Sequence, residues 1–188
     1  MTKVVLFGDS LTAGVFNGRH PTGIFTRLLE DKFPDVQFIN RGLPGDQTRN
    51  ACKRLRSDVL SETPDLVVIF FGTNDVSSQE VFLANYHNNL AYMLTSIKPN
   101  KCILITPGIS GPTRQNLRPL EKMEQYAEET LAVAQEFEIP ALDWYDHCKD
   151  QAPTKLLQAD DLHYSEAAYQ QLVEQLEPLL AKKLTNLN

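Results

Sequence analysis

Lys3-Val4-Val5-Leu6-Phe7-Gly8-Asp9-Ser10-Leu11-Thr12-Ala13-Gly14 is the stretch whose reading decides the fold. Residues 3–7 form an apolar, β-branched-rich run without polar alternation, the signature of a parallel strand covered on both faces. Gly8 permits a tight turn, and Asp9-Ser10 follow at the strand's carboxyl end, where open α/β sheets bind ligands. A serine after a turn is usually a helix N-cap rather than a nucleophile, so Ser10 needs partners elsewhere in the chain before it points to chemistry.

Outward from this strand, helical and strand patterns alternate. Ile24, Phe25, Leu28, Leu29 and Phe33 predict a helix over 21–33, ended by Pro34. A strand over 36–39 runs into the loop 40–46, whose Gly42 and Gly45 open backbone conformations closed to other residues, and a helix follows from Thr48 to Val59. Leu66 to Phe71 is the most apolar run and reads as the central strand, leading into Gly72-Thr73-Asn74-Asp75. Ser77 or Ser78 is expected to cap a helix burying Phe82, Tyr86, Leu90, Met93 and Ile97. Residues 102–105 form a fourth strand, 106–113 are turn formers, and Leu120, Met123, Ala127, Leu131, Ala134 and Phe137 mark a long helix. Residues 139–143 give a short edge strand, and Ser165 caps a final helix that Pro178 should bend or restart. Without internal repeats or linkers, this alternation predicts one domain over residues 1–188, an α/β protein with a doubly wound parallel sheet.

A chain of 188 residues with 42% hydrophobic content can bury one sizeable core. Its net charge of −6, without a basic patch, argues against nucleic acid or an anionic membrane surface as partner and favours a small substrate. No run approaches a membrane span and the N-terminus lacks a signal-peptide pattern, so a cytoplasmic location without membrane anchoring is the expectation; a removed signal peptide would leave no trace. Cys52, Cys102 and Cys148 fit reduced, mostly buried thiols better than a disulfide framework.

The sheet rim collects Asp9-Ser10, the glycines of 42–45 and Asn74-Asp75, with Asp160 and His163 near the start of the last helix. Acyl transfer needs such a set: a hydroxyl too weakly acidic to attack unaided, an imidazole to take its proton, a carboxylate to fix the tautomer, and donors for the oxyanion. Asp160 and His163 are one helical turn apart, whereas Asp161 should point off the shared face. Plainer readings apply to the rest. His20 is solvated, His87 is structural, Asp9 and Asp75 fix their loops, and Asp143 with His147 is the nearest competing acid–base pair. Two other functions fit the same residues. One is a metal-dependent phosphoesterase using Asp9, Asn74, Asp75, Asp160 and His163 as ligands; the other is a flavodoxin-like binding module with Ser10 and Thr12 on a phosphate.

Gly8-Asp9-Ser10-Leu11, the glycines of 40–45, Gly72-Thr73-Asn74-Asp75 and Asp160-x-x-His163 stand in the order of the four blocks of the SGNH hydrolases, and the chain resembles that family of GDSL-type esterases and lipases from end to end. The resemblance implies a three-layer α/β/α, flavodoxin-like fold with strand order 2-1-3-4-5, and a serine esterase without metal or cofactor. It also implies Ser10 as nucleophile, His163 as base and Asp160 as its partner, with an oxyanion hole from the N–H groups of Ser10 and Gly45 and the Asn74 amide. Small lysophospholipase-type or short-chain esterases are the nearest likeness. The G-x-S-x-G elbow of another hydrolase lineage is absent, since Thr12 stands at its second glycine. Leu11, Val15, Phe16, Leu43, Ile109, Leu117 and Leu162 are the apolar candidates for lining a substrate site.

Overall fold

A computed structural model describes residues 1–17 and 20–187. Five parallel strands form one sheet: β1 (Thr2–Gly8), β2 (Val36–Gly42), β3 (Leu66–Phe70), β4 (Cys102–Ile105) and β5 (Ala141–Leu142). Their spatial order is 2-1-3-4-5, the flavodoxin-like arrangement. Val4 to Phe7 in β1 and Leu66 to Phe70 in β3 are buried, as expected for strands with helices on both faces. The register aligns Gly8 with Gly42 and Phe70, and Phe70 with Ile105, so four strands deliver their following loops to one rim.

The helices form two outer layers. On one side α2 (Ile24–Lys32) packs against α8 (Glu166–Thr185). On the other, α3 (Thr48–Asp58), α4 (Leu83–Ile97) and α5 (Leu120–Glu136) pack in sequence. Three short helices complete the set: α1 (Ser10–Ala13), α6 (Trp144–Lys149) and α7 (Pro153–Leu156). Among the described residues no helix is long and apolar enough to cross a membrane.

Several boundaries differ from expectation for identifiable reasons. The second strand does not stop at Ile39 but continues through Asn40, Arg41 and Gly42, because these polar residues stay in register with Leu6, Phe7 and Gly8 of the neighbouring strand. Gly42 is needed there for space rather than for its torsion angles: a Cβ would lie 2.2 Å from the Ala13 backbone nitrogen. The helix read over 21–33 begins only at Ile24, after Gly23 in a left-handed conformation (φ 65°). Ser78 caps the turn before α4 through the N–H groups of Glu80 and Val81, so the helix itself starts later, and Phe82 is 67% exposed instead of buried. Leu120 likewise faces solvent at the start of α5, while Tyr126, Thr130 and Val133 join its buried face. The last helix runs through Pro178 without restarting, and Ser165 caps it by accepting from the Ala168 N–H.

Candidate active site

After β1 the chain makes an extra turn, α1, absent from the sequence reading. Asp9, not Ser10, is its cap: its Oδ1 accepts the Leu11 N–H at 2.8 Å, and Gly14, left-handed at φ 73°, ends it. Ser10 becomes the first helical residue, on the carboxyl rim and only 6% exposed. Its Oγ lies 3.1 Å from His163 Nε2, and His163 Nδ1 lies 2.5 Å from Asp160 Oδ2. Residues 153 positions apart are thus brought into a chain of hydroxyl, imidazole and carboxylate.

Asp160 and His163 are paired by a turn, not by a helix, since the last helix begins at Glu166. Asp160 Oδ1 accepts the backbone N–H groups of Leu162 and His163 at 3.1 and 3.0 Å, leaving Oδ2 for the ring. Burial by itself would raise the Asp160 carboxyl, but the hydrogen bonds from the His163 ring and from these two N–H groups outweigh it and hold the group below its ordinary value. Asp161 turns the other way at φ 58°, and its Oδ2 accepts the Thr113 N–H and hydroxyl at 2.9 and 2.8 Å. Gly111 N–H to the Asp161 carbonyl and Arg114 Nε to the Asp160 carbonyl, both 2.9 Å, complete a seam pinning the 107–118 loop to the acid–base turn.

The oxyanion candidates occupy the same rim. Gly45 has φ 79° with no atom within 4 Å of a hypothetical Cβ, so glycine is required there for its torsion angle. Among the described residues, neither the Ser10 nor the Gly45 backbone N–H donates to protein. Asn74, 8% exposed, directs Nδ2 at Asp9 Oδ2 (3.1 Å) and the Asp46 carbonyl (3.0 Å). Arg118 holds the other end of that amide, with Nη2 3.0 Å from Asn74 Oδ1 and Nε 2.8 Å from the Thr73 carbonyl. Below the rim, Arg54 donates to the Gly8 and Arg41 carbonyls and to Asp46 Oδ2, and stacks over the Phe7 ring at 4.4 Å. Neither arginine was singled out from the sequence. Arg54 had one usable signal: a cation on the α3 face that also carries Ala51 and Leu55, both buried. Arg118, after an irregular loop, had none.

Asp9 and Asp75 do fix their loops. Burial, foremost, pushes the Asp9 carboxyl up to about 7 and the Asp75 carboxyl up to about 6. Asp75 Oδ1 accepts the Thr48 N–H and hydroxyl at 2.9 and 2.5 Å, while its Oδ2 is buried without a partner. A carboxyl raised in the folded state binds more protons than in the unfolded chain, so its contribution to stability is complete below about 4 and is lost as pH rises through about 6. The asparagine of Asp75→Asn keeps the Thr48 acceptor and cannot ionise. Urea melts should therefore show the variant gaining on the wild type, by on the order of 3 kcal/mol, between pH 4 and 7, then running parallel. A stability difference independent of pH would mean that Asp75 does not titrate in this range.

The remaining sequence candidates separate cleanly. His147 stacks on Trp144 and meets Gln171 at 2.9 Å, and Asp143 caps α6, so they form no second acid–base pair. His87 lies between Glu129 and Glu136, and His20 is exposed. Asp9, Asp75, Asp160 and His163 do not come together as a set of metal ligands. Among the described residues no group of three or more His, Cys, Asp and Glu side chains does so. Leu11, Val15 and Ile109 are buried rather than open to substrate, a correction to the sequence reading; Leu11 is covered as part of α1, which packs against β1, β2 and α2. Leu43 and Leu117 stand half exposed, and Phe16 and Leu162 are intermediate. An open cleft of about 380 Å³ beside the acid is lined by Asn17, Gln158, Ala159 and Asp160.

A flavodoxin-like sheet with serine, histidine and aspartate in hydrogen-bonded sequence on its carboxyl rim defines a carboxylic ester hydrolase of the three-layer α/β type. The sequence profile of the GDSL-like lipase/acylhydrolase family matches residues 6–171, and the chain belongs to that family. It is 29% identical over 213 residues to the human isoamyl acetate-hydrolyzing esterase 1 homolog, covering 98% of this chain and 84% of that protein. The crystal structure of a lipase/acylhydrolase from Enterococcus faecalis superposes with a TM-score of 0.89 at 35% identity, over 97% of this chain and 96% of its own. Axe2, an acetylxylan esterase from Geobacillus stearothermophilus, gives 0.76 at 25% identity over 95% and 94%; structures of two of its catalytic mutants replace a histidine and a serine by alanine.

Proposed function

We propose that the protein hydrolyses small, short-acyl carboxylic esters through an acyl-enzyme on Ser10. The observation that carries this reading is the continuous contact from Ser10 Oγ to His163 Nε2 (3.1 Å) and from His163 Nδ1 to Asp160 Oδ2 (2.5 Å). The Ser10 hydroxyl passes its proton to Nε2 as Oγ attacks the ester carbonyl, and Asp160 keeps the Nδ1 proton facing itself and stabilises the imidazolium. The tetrahedral oxyanion takes the N–H groups of Ser10 and Gly45. It draws an Asn74 amide proton from the Asp46 carbonyl, a competition that charge decides in favour of the oxyanion. Collapse expels the alcohol, which receives the proton from His163. Water activated by the same imidazole then releases the acid and restores Ser10. The serine and histidine changed in the catalytic mutants of the acetylxylan esterase support these two roles. Three free thiols fit work in a reducing compartment, the cytoplasm, on small soluble esters.

Acyl preference follows from the rim. Leu43 and Leu117 are 50% and 52% exposed and Leu162 is partly covered, so the apolar surface open to an acyl chain is sparse. The seam through Asp161 holds the 107–118 loop against the acid–base turn. Each methylene adds at most about 0.8 kcal/mol, and only while protein covers it. For p-nitrophenyl esters, kcat/KM should be highest between acetyl and about hexanoyl and fall or level beyond. A value that keeps climbing through decanoyl would replace the open rim with a lipid-shaped groove. Labelling of Ser10 by an organophosphonate, read by peptide mass, tests the mechanism itself.

A further inference from the structure

Arg118 is a buried cation that the proposed reaction does not use. Arg118 is 8% exposed at the end of the 107–118 loop, and its guanidinium is spent on the segment carrying Asn74: Nε on the Thr73 carbonyl at 2.8 Å and Nη2 on Asn74 Oδ1 at 3.0 Å. Its own carbonyl accepts the Ser110 hydroxyl at 2.7 Å, which fixes the backbone from which the side chain reaches. A primary amide can sit either way round unless its neighbours discriminate between oxygen and nitrogen. Around Asn74 they do. Rotation by half a turn would bring the NH2 group against the guanidinium and the amide oxygen against Asp9 Oδ2 and the Asp46 carbonyl.

We propose that Arg118 is a positioning residue for ester hydrolysis, holding the Asn74 carboxamide with Nδ2 toward the oxyanion and polarising its N–H bonds. This rests on the reading of Asn74 as an oxyanion donor. A hydrogen bond from a cation to the amide oxygen withdraws electron density from the nitrogen, so the N–H groups donate more strongly when negative charge develops on the ester oxygen. Both effects grow in the transition state and are nearly silent in the ground state, where the ester oxygen carries little charge. Arg118 therefore acts on kcat. Burial, foremost, pulls the guanidinium below its ordinary value, with Arg114 adding to this and Asp9 opposing it. The group stays charged, as arginine does in proteins.

The test is a double-mutant cycle on p-nitrophenyl acetate with Asn74→Ala, Arg118→Met, Arg118→Lys and the doubles, each checked for native circular dichroism. Asn74→Ala is expected to lower kcat about 10²- to 10³-fold. Arg118→Met is expected to lower kcat about 10- to 100-fold with KM within about twofold, because the donor remains but is no longer held. Arg118→Lys keeps the charge without the planar fork that spans both acceptors, and should fall between. In the Asn74→Ala background either Arg118 change should cost nothing further, since the group it positions is gone. Should Arg118→Met fail to fold, Arg118→Lys reads the same coupling. An Arg118 loss that persists in full without Asn74, or that falls on KM alone, overturns the positioning role and leaves the oxyanion reading standing. A wild-type kcat in Asn74→Ala overturns both.

Discussion

Ser10→Ala is expected to lower kcat at least about 10⁴-fold while leaving the melting temperature within a degree or two. The catalytic loss follows because, among the described residues, no other hydroxyl touches His163 Nε2, so the acyl-enzyme cannot form. The folding prediction rests on what the hydroxyl does not do. Among the described residues its one hydrogen bond is with that imidazole, so alanine breaks no other hydrogen bond and leaves the α1 cap, which belongs to Asp9, in place. Residual turnover would come from the oxyanion donors and binding alone. The two halves are measured together: p-nitrophenyl acetate hydrolysis at saturation, and thermal melts of the same preparations. A folded variant with more than a tenth of wild-type activity would remove the serine from the mechanism.

Where the sequence was legible, one physical rule acted alone. Val4 to Phe7 and Leu66 to Phe70 could be read as strands because burial on both faces demands continuous apolar residues, and that demand holds wherever the sheet lies. Strand order came instead from the family resemblance, since a hydrophobic run does not record its neighbours. Asn40-Arg41-Gly42 was read as loop because its composition is that of a loop. The structure makes it strand because Asn40 Nδ2 reaches the Thr12 carbonyl, Arg41 pairs with Glu62, and the ladder with β1 overrides local preference.

The site divides in the same way. Asp160 and His163 were paired from three-residue spacing on helical grounds, and the pairing stands because an Asx turn over 160–163 brings the same positions together by another route. Arg118 and Arg54 were invisible, because an arginine's partners are chosen by tertiary contacts up to 46 residues away. The path of the 107–118 loop is not written in its composition, for a related reason. Its glycines and prolines permit many paths, and the one adopted is selected by Asp161, a residue near the far end of the chain.

His163→Ala should be nearly as damaging as loss of the serine, about 10⁴-fold or more in kcat, because it leaves Ser10 without a base. Asp160→Asn separates the carboxylate's two duties. The asparagine Oδ1 can still accept the Leu162 and His163 N–H groups, so the turn survives. Its NH2 would then face His163 Nδ1, where Oδ2 now lies at 2.5 Å. An amide donor there forces the ring into the tautomer with its proton on Nε2, the nitrogen that must accept from Ser10, and it removes the negative charge that stabilises the imidazolium. The expected cost is about 10³-fold, below that of His163→Ala because the imidazole can still reach the working tautomer at an energetic penalty. Asp161→Asn should stay within about tenfold, since that carboxylate is directed at Thr113 and touches the site only through the loop it pins. Steady-state kinetics on the three variants decide the ranking. If Asp161→Asn proved more harmful than Asp160→Asn, the turn in the working enzyme would have to present the other carboxylate to His163, and the Asp160 contact would lose its catalytic meaning.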